Sequence, residues 1–280
     1  INIKIGKRLY MTATERVFKK NDDTYISMDN ENIYGKTIHS LSYKEAIQQK
    51  NPIISDYKII TFEITDKEIE ESVNSNQFIE IKKYINNLTA REFAVALGLR
   101  KAIKELKIKN AISFHRSIKR AKNFKTQQDL ISKVYSEYKD LNTFHISGEM
   151  KISERINQIL SFTKNHGLIT NSRCLTEGVD IPAIDCVCFV DPKRSKIDIV
   201  QAAGRAMRLS KGKKFGYILV PIFTSNQSIT TKNIKDSGFE EVINVIGHLS
   251  TNDSRISENL RAIQEGKIPD SGSPIDEILS

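Results

Sequence analysis

Gln201-Ala-Ala-Gly204-Arg205-Ala-Met-Arg208 reads as Q-x-x-G-R-x-x-R on a helix predicted from Lys196 to Leu209. Arg205 and Arg208 stand three apart, a spacing that sends both guanidinium groups from one helical face, with Gln201 a turn earlier. Gly204 removes a side chain there and lets another backbone approach closely. Two adjacent guanidinium forks suit a phosphate on which negative charge is developing, the work of an arginine finger. The plain alternative is a helix with two surface arginines.

About twenty residues earlier, across one strand, a strand from Gly167 to Thr170 runs into a loop ending Glu177-Gly178-Val-Asp180-Ile-Pro182. That spacing suits two consecutive strand ends of one sheet, where ligands of open α/β sheets bind. Asp180 equally suits a cap on the turn before Pro182. His115 closes another strand, where a hydrogen-bonded structural role competes with a ligand role. Cys186 and Cys188 sit two apart on a strand, so they face one way and read as core. With Cys174 they are too few and too clustered for a disulfide framework or a four-ligand zinc site.

The other half of a nucleotide site is missing from these residues. No G-x-x-x-x-G-K-[S/T] loop occurs, and the glycine-lysine cluster Ser210–Gly216 lacks its spacing. No acidic pair follows a strand in a position to hold magnesium, and Asp276–Glu277 reads as a solvated tail. No resident metal site is expected. A nuclease fails for want of a carboxylate cluster with a nearby lysine in a strand context.

The 280 residues suffice for one large domain or two modest ones, with 39% apolar and 28% charged residues, unlike a disordered chain. No apolar run approaches the ~20 residues that cross a bilayer, and no signal peptide is read at the start. A cytoplasmic protein is expected. The formal charge is +9, unevenly placed. Arg100–Lys125 holds ten basic residues and one acid; Lys193–Lys214 holds eight and one. From Asp236 onward nine acids face three basic residues. Two basic segments on a near-neutral or acidic chain suggest a polyanion partner, against the alternative of solvated lysine faces.

The elements that must position these residues alternate strand and helix. Strands are predicted at Tyr57–Thr65, Asn110–His115, Thr143–Ile146, Gly167–Thr170, Asp185–Val190 and Phe215–Val220. Helices are predicted from a Thr89/Glu92 capping box to about Lys107, at Ser117–Tyr138, Ser153–Lys164 and Lys196–Leu209. Repeated strand–helix units with strands apolar on both faces imply a parallel sheet with helices on both sides. Two amphipathic helices, Ser237–His248 and Ser254–Gln264, form a small carboxy-terminal extension. Residues 1–14 read as one lone strand, and residues 15–56 as polar and irregular with a short helix after Ser42.

Taken in order, these segments resemble the second RecA-like domain of superfamily-two helicases and translocases. Gln201–Arg208 is similar to that family's motif VI, Thr170–Pro182 to motif V, and Ala111–Phe124 to motif IV with its following helix. His145–Met150 is similar to an H-x-S-G segment preceding a helix with Glu154–Arg155. Met11-Thr12-Ala13-Thr14 resembles motif III, although Glu15 stands where relatives commonly carry Pro. The flavour is that of predicted helicases related to type I and type III restriction motor subunits. The resemblance implies four parts: residues 1–22 as the tail of a truncated first RecA-like domain, 23–56 as a linker, 57–224 as the second RecA-like domain, and 225–280 as the helical extension.

The resemblance also implies roles. Arg205 and Arg208, ordered by Gln201, would meet the γ-phosphate of ATP with Mg²⁺, held mainly by a missing first domain. Gly178, Asp180 and Gly204 would lie near the nucleotide and the interdomain cleft. Ser172, Arg173, His115 and Arg116 would face a nucleic-acid backbone, with DNA favoured. Thr12 and Thr14 would couple the two events. Restriction-modification subunits are possible partners, and this stretch alone is expected to be inactive as an ATPase. The competing expectation is a non-catalytic module that binds nucleic acid or protein.

Overall fold

The computed structural model describes residues 6–12, 15, 17, 26–85, 87–172, 184–191, 195–224, 239–264 and 274. The chain divides into two compact units, residues 1–42 and 43–280. In the first, a short helix α1 (Glu31–Tyr34) starts on an Asn30 side chain that accepts from the Asn32 N–H. Residues 7–12 carry no strand. The lone strand expected there has no partner among the described residues, and a single strand leaves its backbone groups unpaired.

The second unit holds a six-stranded parallel sheet. Its strands are β1 (Asp56–Thr65), β2 (Asn110–Phe114), β3 (Thr143–Ile146), β4 (Gly167–Asn171), β5 (Cys186–Phe189) and β6 (Phe215–Thr224), in the order β1-β6-β5-β2-β4-β3. Every described pairing is parallel. The expected α/β class, a RecA-like sheet with helices on both faces, is therefore what the chain forms.

The helices are α2 (Tyr43–Gln48), α3 (Asp66–Val73), α4 (Asn76–Lys82), α5 (Ala90–Glu105), α6 (Ile118–Val134), α7 (Ile152–Asn165), α8 (Lys196–Ala206), α9 (Phe239–Ser250) and α10 (Ser254–Gln264). α5 begins at the Thr89/Glu92 capping box, with both reciprocal bonds formed. Residues 66–82 carry two helices where no element was expected; Thr65 and Glu68 form a second capping box that opens α3.

Alternation along the strands splits the core into two faces. Ile112, Phe114, Val187 and Phe189 pack in one cluster with Ile199, Ala203 and Leu249. Ala111, Cys186 and Cys188 pack in the other with Phe93, Leu99 and Phe124. Both described cysteines are fully buried, and burial pushes their thiols up, as core positions require.

The last helices are tied to the first strand by a buried polar set. The Tyr57 hydroxyl donates to Asp253 at 2.9 Å, while Arg255 binds Asp253 at 2.8 Å and Asp56 at 3.0 Å. Asp253 is wholly buried and Arg255 is 8% exposed. No helix among the described residues is long and apolar enough to cross a membrane.

Candidate nucleic-acid and nucleotide sites

The helix carrying the two arginines is shorter than expected, and its end explains where they point. α8 stops at Ala206. The Lys213 ammonium donates to the carbonyls of Ile184, Ala206 and Arg208. The Ser55 N–H takes the Met207 carbonyl at 2.7 Å, and the Ser55 hydroxyl takes that of Arg208 at 3.3 Å. These donors satisfy the carbonyls that one more helical turn would have used. Gly216 lies beneath: a Cβ there would run into the Ala206 carbonyl, so glycine lets the helix end settle on β6.

Arg208 therefore lies past the helix end and is exposed, whereas Arg205 is 7% exposed. The expected pair thus differs in exposure, one member sealed and the other open. Gln201 and Gly204 are half-buried. Outside its own helix no described atom comes within 4 Å of a Cβ built at Gly204, so the close backbone approach expected there is not made by the described residues. The open strip of Gln201, Gly204 and Arg208 can receive a ligand or partner from outside, and in this respect the residues fit a nucleotide's terminal phosphate.

The remaining residues gather at the opposite end of α8, at the carboxyl ends of the strands. The β2–β4 pairing is prolonged by the His115 N–H donating to the Asn171 carbonyl at 2.8 Å, and this brings His115, Arg116 and Ser172 together. Asp191, just past β5, accepts from the Arg116 N–H at 3.1 Å and from Arg120 Nε at 2.8 Å. Its Oδ2 lies 3.7 Å from His115 Nδ1. Arg120 also reaches Glu92 at 2.6 Å. Burial pushes the Asp191 carboxyl up, but the bonds from His115, Arg120 and the Arg116 N–H outweigh it and hold the group well below the usual carboxylate range. His115 is buried against Ser113 and Phe124, the structural position weighed for it. Arg116 beside it is exposed.

The basic run is not one continuous face. Arg100 is buried among Gln128, Ser132 and the Tyr138 carbonyl. Arg120, Lys122 and Lys125 pair with carboxylates. Arg116 and Lys119 remain exposed, with no ion pair among the described residues.

Sequence reasoning missed the side chains at the ends of β3 and β4. Asn171 is fully buried, yet among the described residues neither its Oδ1 nor its Nδ2 has a partner; the Ser147 hydroxyl and His145 Nε2 are also buried and unpartnered there. Asn171 follows an apolar strand and could have been noticed on that ground; Ser147 and His145 belong to the H-x-S-G segment, to which no role was given. Each unsatisfied buried polar group costs about 1–3 kcal/mol, and a group of them at one strand end calls for an explanation such as a ligand. Ser172 is 5% exposed beside them.

His145 makes this end acid-sensitive. The Thr170 hydroxyl donates to the Phe144 carbonyl, so its oxygen accepts from His145 Nδ1–H at 3.0 Å, leaving Nε2 as the bare acceptor. Burial first, then the charges of Lys122 and His115, lower its pKa to about 4. The unfolded chain binds this proton near pH 6.5 and the folded one only near 4, so stability falls as pH drops through that window. The expected loss is up to roughly 3 kcal/mol. A His145→Gln variant should lose most of that slope between pH 6.5 and 4, read by urea unfolding at several pH values.

Thr12 is exposed in the first unit. Arg173, Gly178, Asp180 and Thr14 lie outside the described residues, and no group of His, Cys, Asp or Glu among the described residues could hold a metal ion.

A model of the helicase conserved C-terminal domain matches residues 95–210, a span that runs from within α5 past the end of α8 and includes both sites. Over those residues the chain resembles that domain. The chain superposes on the DNA-bound ATP-dependent Type ISP restriction-modification enzyme LlaBIII with a TM-score of 0.72 and 26% identity, covering 94% of this chain and 18% of that one. It is 23% identical over 265 residues to "Probable helicase A859L" of African swine fever virus (isolate Pig/Kenya/KEN-50/1950), covering 93% of this chain. It is 32% identical over 85 residues to the ATP-dependent RNA helicase HAS1 of Kluyveromyces lactis, covering 29% of this chain and 17% of that protein. The chain spans 27% of the length of the viral relative.

Proposed function

We propose that this helicase C-terminal domain is one half of an ATP-dependent nucleic-acid motor, a helicase or translocase acting on DNA. In this reading Arg208 and Arg205, with Gln201, reach the γ-phosphate of ATP·Mg²⁺ held mainly by another RecA-like domain of the same enzyme. ATP with its magnesium supplies the phosphoryl group whose transfer drives the motor. The chain's own residues supply compensating charge and an open strip at Gly204 against which that domain closes. Gly178 and Asp180 border the nucleotide. Thr12 and Thr14 of residues 1–22 couple nucleotide state to strand grip, residues 23–56 link the two halves, and residues 225–280 are an added helical extension. Alone, the chain hydrolyses no ATP. Restriction-modification subunits are the partners that the likeness to LlaBIII favours.

The observation that carries the nucleic-acid part is the cluster at the strand ends: four buried, unpartnered polar atoms of Asn171, Ser147 and His145 beside the exposed cations Arg116 and Lys119. Neutral hydrogen-bonding groups with flanking cations suit a phosphodiester backbone, which carries charge and acceptors but no sequence. Ser172 and Arg173 extend the same contact. α8 links this cluster to Arg208 across its 11 residues, about 16 Å, so grip and hydrolysis sit at its two ends.

The test is a salt titration. Single-stranded DNA should bind the 280-residue chain with log affinity falling linearly as log salt rises, and Arg116→Ala should lower the magnitude of that slope by about 1. Affinity unchanged between ~50 and ~200 mM salt removes the backbone contact. One observation favours the non-catalytic module instead, the near-complete burial of Arg205; it makes the arginine variants decisive.

A further inference from the structure

Next to Arg116, on the α5–α6 side of the sheet, lies a cavity of about 770 Å³. It opens between the first turns of α5 and α6 and is floored by the ends of β5 and β6. The motor reading uses Arg116 and Lys119 at its mouth and leaves its interior unassigned. Three features describe what it would hold. Gln127 lines it, is 3% exposed, and its Oε1 has no hydrogen-bond partner among the described residues. That oxygen lacks a donor, and the amide as a whole is the side chain that pairs with the hydrogen-bonding edge of a base. Its lining also carries a cation–aromatic pair: the Arg91 guanidinium lies 3.5 Å from the Phe223 ring centroid, and arginine and aromatic side chains are surfaces on which bases stack. The mouth carries Arg116 and Lys119, exposed cations flanking the start of α6 that suit an anion there.

A planar, hydrogen-bonding group inside and an anion at the rim define a nucleoside phosphate. An inorganic anion would leave Gln127 unanswered, and an apolar ligand would strand Gln127 and waste the charged mouth. We propose that this cavity is a nucleobase site: it takes one base turned out of the bound strand, its exocyclic amine donating to Gln127 Oε1 and its ring against Arg91, while the attached phosphate stays on Arg116 and Lys119. The proposal rests on the backbone contact above and deepens it. The same chemistry could arrive as a free nucleotide, and the experiment separates the two.

Single strands carrying 2-aminopurine, or an abasic residue at every position, are titrated into the 280-residue chain at fixed salt. The base site predicts that the abasic strand binds about ten-fold more weakly, within the range of a stacked base. It also predicts a 2-aminopurine fluorescence change on binding that Gln127→Leu diminishes and Gln127→Glu largely retains, since a carboxylate still accepts. Adenosine monophosphate should reverse the signal only at concentrations far above the strand's Kd; reversal at or below it assigns the cavity to free nucleotide. If Gln127→Leu fails to fold, the abasic comparison still decides, because it needs no variant. Equal affinity of abasic and normal strands, with the salt slope intact, overturns the base site and leaves the backbone contact standing. Loss of all strand binding in the wild-type chain overturns both.

Discussion

Changing both Arg205 and Arg208 to Ala is expected to lower ATP turnover on the order of 10³–10⁵-fold in the enzyme that joins this chain to a phosphate-loop domain, the scale of an arginine finger. ATP affinity should change far less, because the fingers act on charge that develops only in the transition state. The two positions should separate. Arg208 is exposed past the end of α8, so Arg208→Ala alone should reduce turnover and leave the unfolding midpoint within the ~0.5 kcal/mol typical of surface changes. Arg205 is 7% exposed, so its removal should also destabilise the fold. The measurements are nucleic-acid-stimulated phosphate release and thermal melting of each single variant and the double. Full turnover in the double variant would leave α8 as a structural helix and the non-catalytic module as the better reading.

Asp253→Ala is expected to have the largest effect on stability, about 3–5 kcal/mol, as for breaking a buried ion pair from one side. Asp253 is the acceptor for both the Tyr57 hydroxyl and the Arg255 guanidinium, and its loss leaves a buried phenol and a charge that is 8% exposed. Asp56 at 3.0 Å would remain Arg255's sole carboxylate partner in the described network. Asp253→Asn should fall between, since it retains an acceptor but not the charge. Urea unfolding reads the difference. Protease sensitivity within α9 and α10 would reveal whether these helices detach before the sheet opens.

The sequence showed the units that local rules determine. Thr89 and Glu92 lie three apart, so their capping box was visible before any fold was known. The strand Thr143–Ile146 was bounded as it forms, because polar residues flank it on both sides. Cys186 and Cys188 were placed in the core by the two-residue period alone. What stayed hidden depends on residues far apart in the chain. The end of α8 is set by Lys213 and Ser55, and neither announces in sequence that it will cap that helix. The basic count over Arg100–Lys125 could not tell Arg116, which faces outward, from Arg100, which is sealed in the core. Gln127 looks ordinary in sequence; only its burial without a described partner singles it out.

The placement of β1 has a consequence for how the chain comes together. All ten of its residues pair with β6, about 160 positions further on, so the sheet's outer edge forms only after the longest-range strand pairing in the sheet has closed. During synthesis β1 emerges early and must wait, apolar and without a neighbour, until β6 is released. A polypeptide trimmed to residues 95–210, the span the domain family recognises, would lack both strands. It would present β5 as a bare edge of Cys186, Val187, Cys188 and Phe189, and edges of that composition recruit other chains. The segment that carries the recognisable sequence is therefore smaller than the segment that can stay soluble, and aggregation of the trimmed form would follow from the sheet order alone.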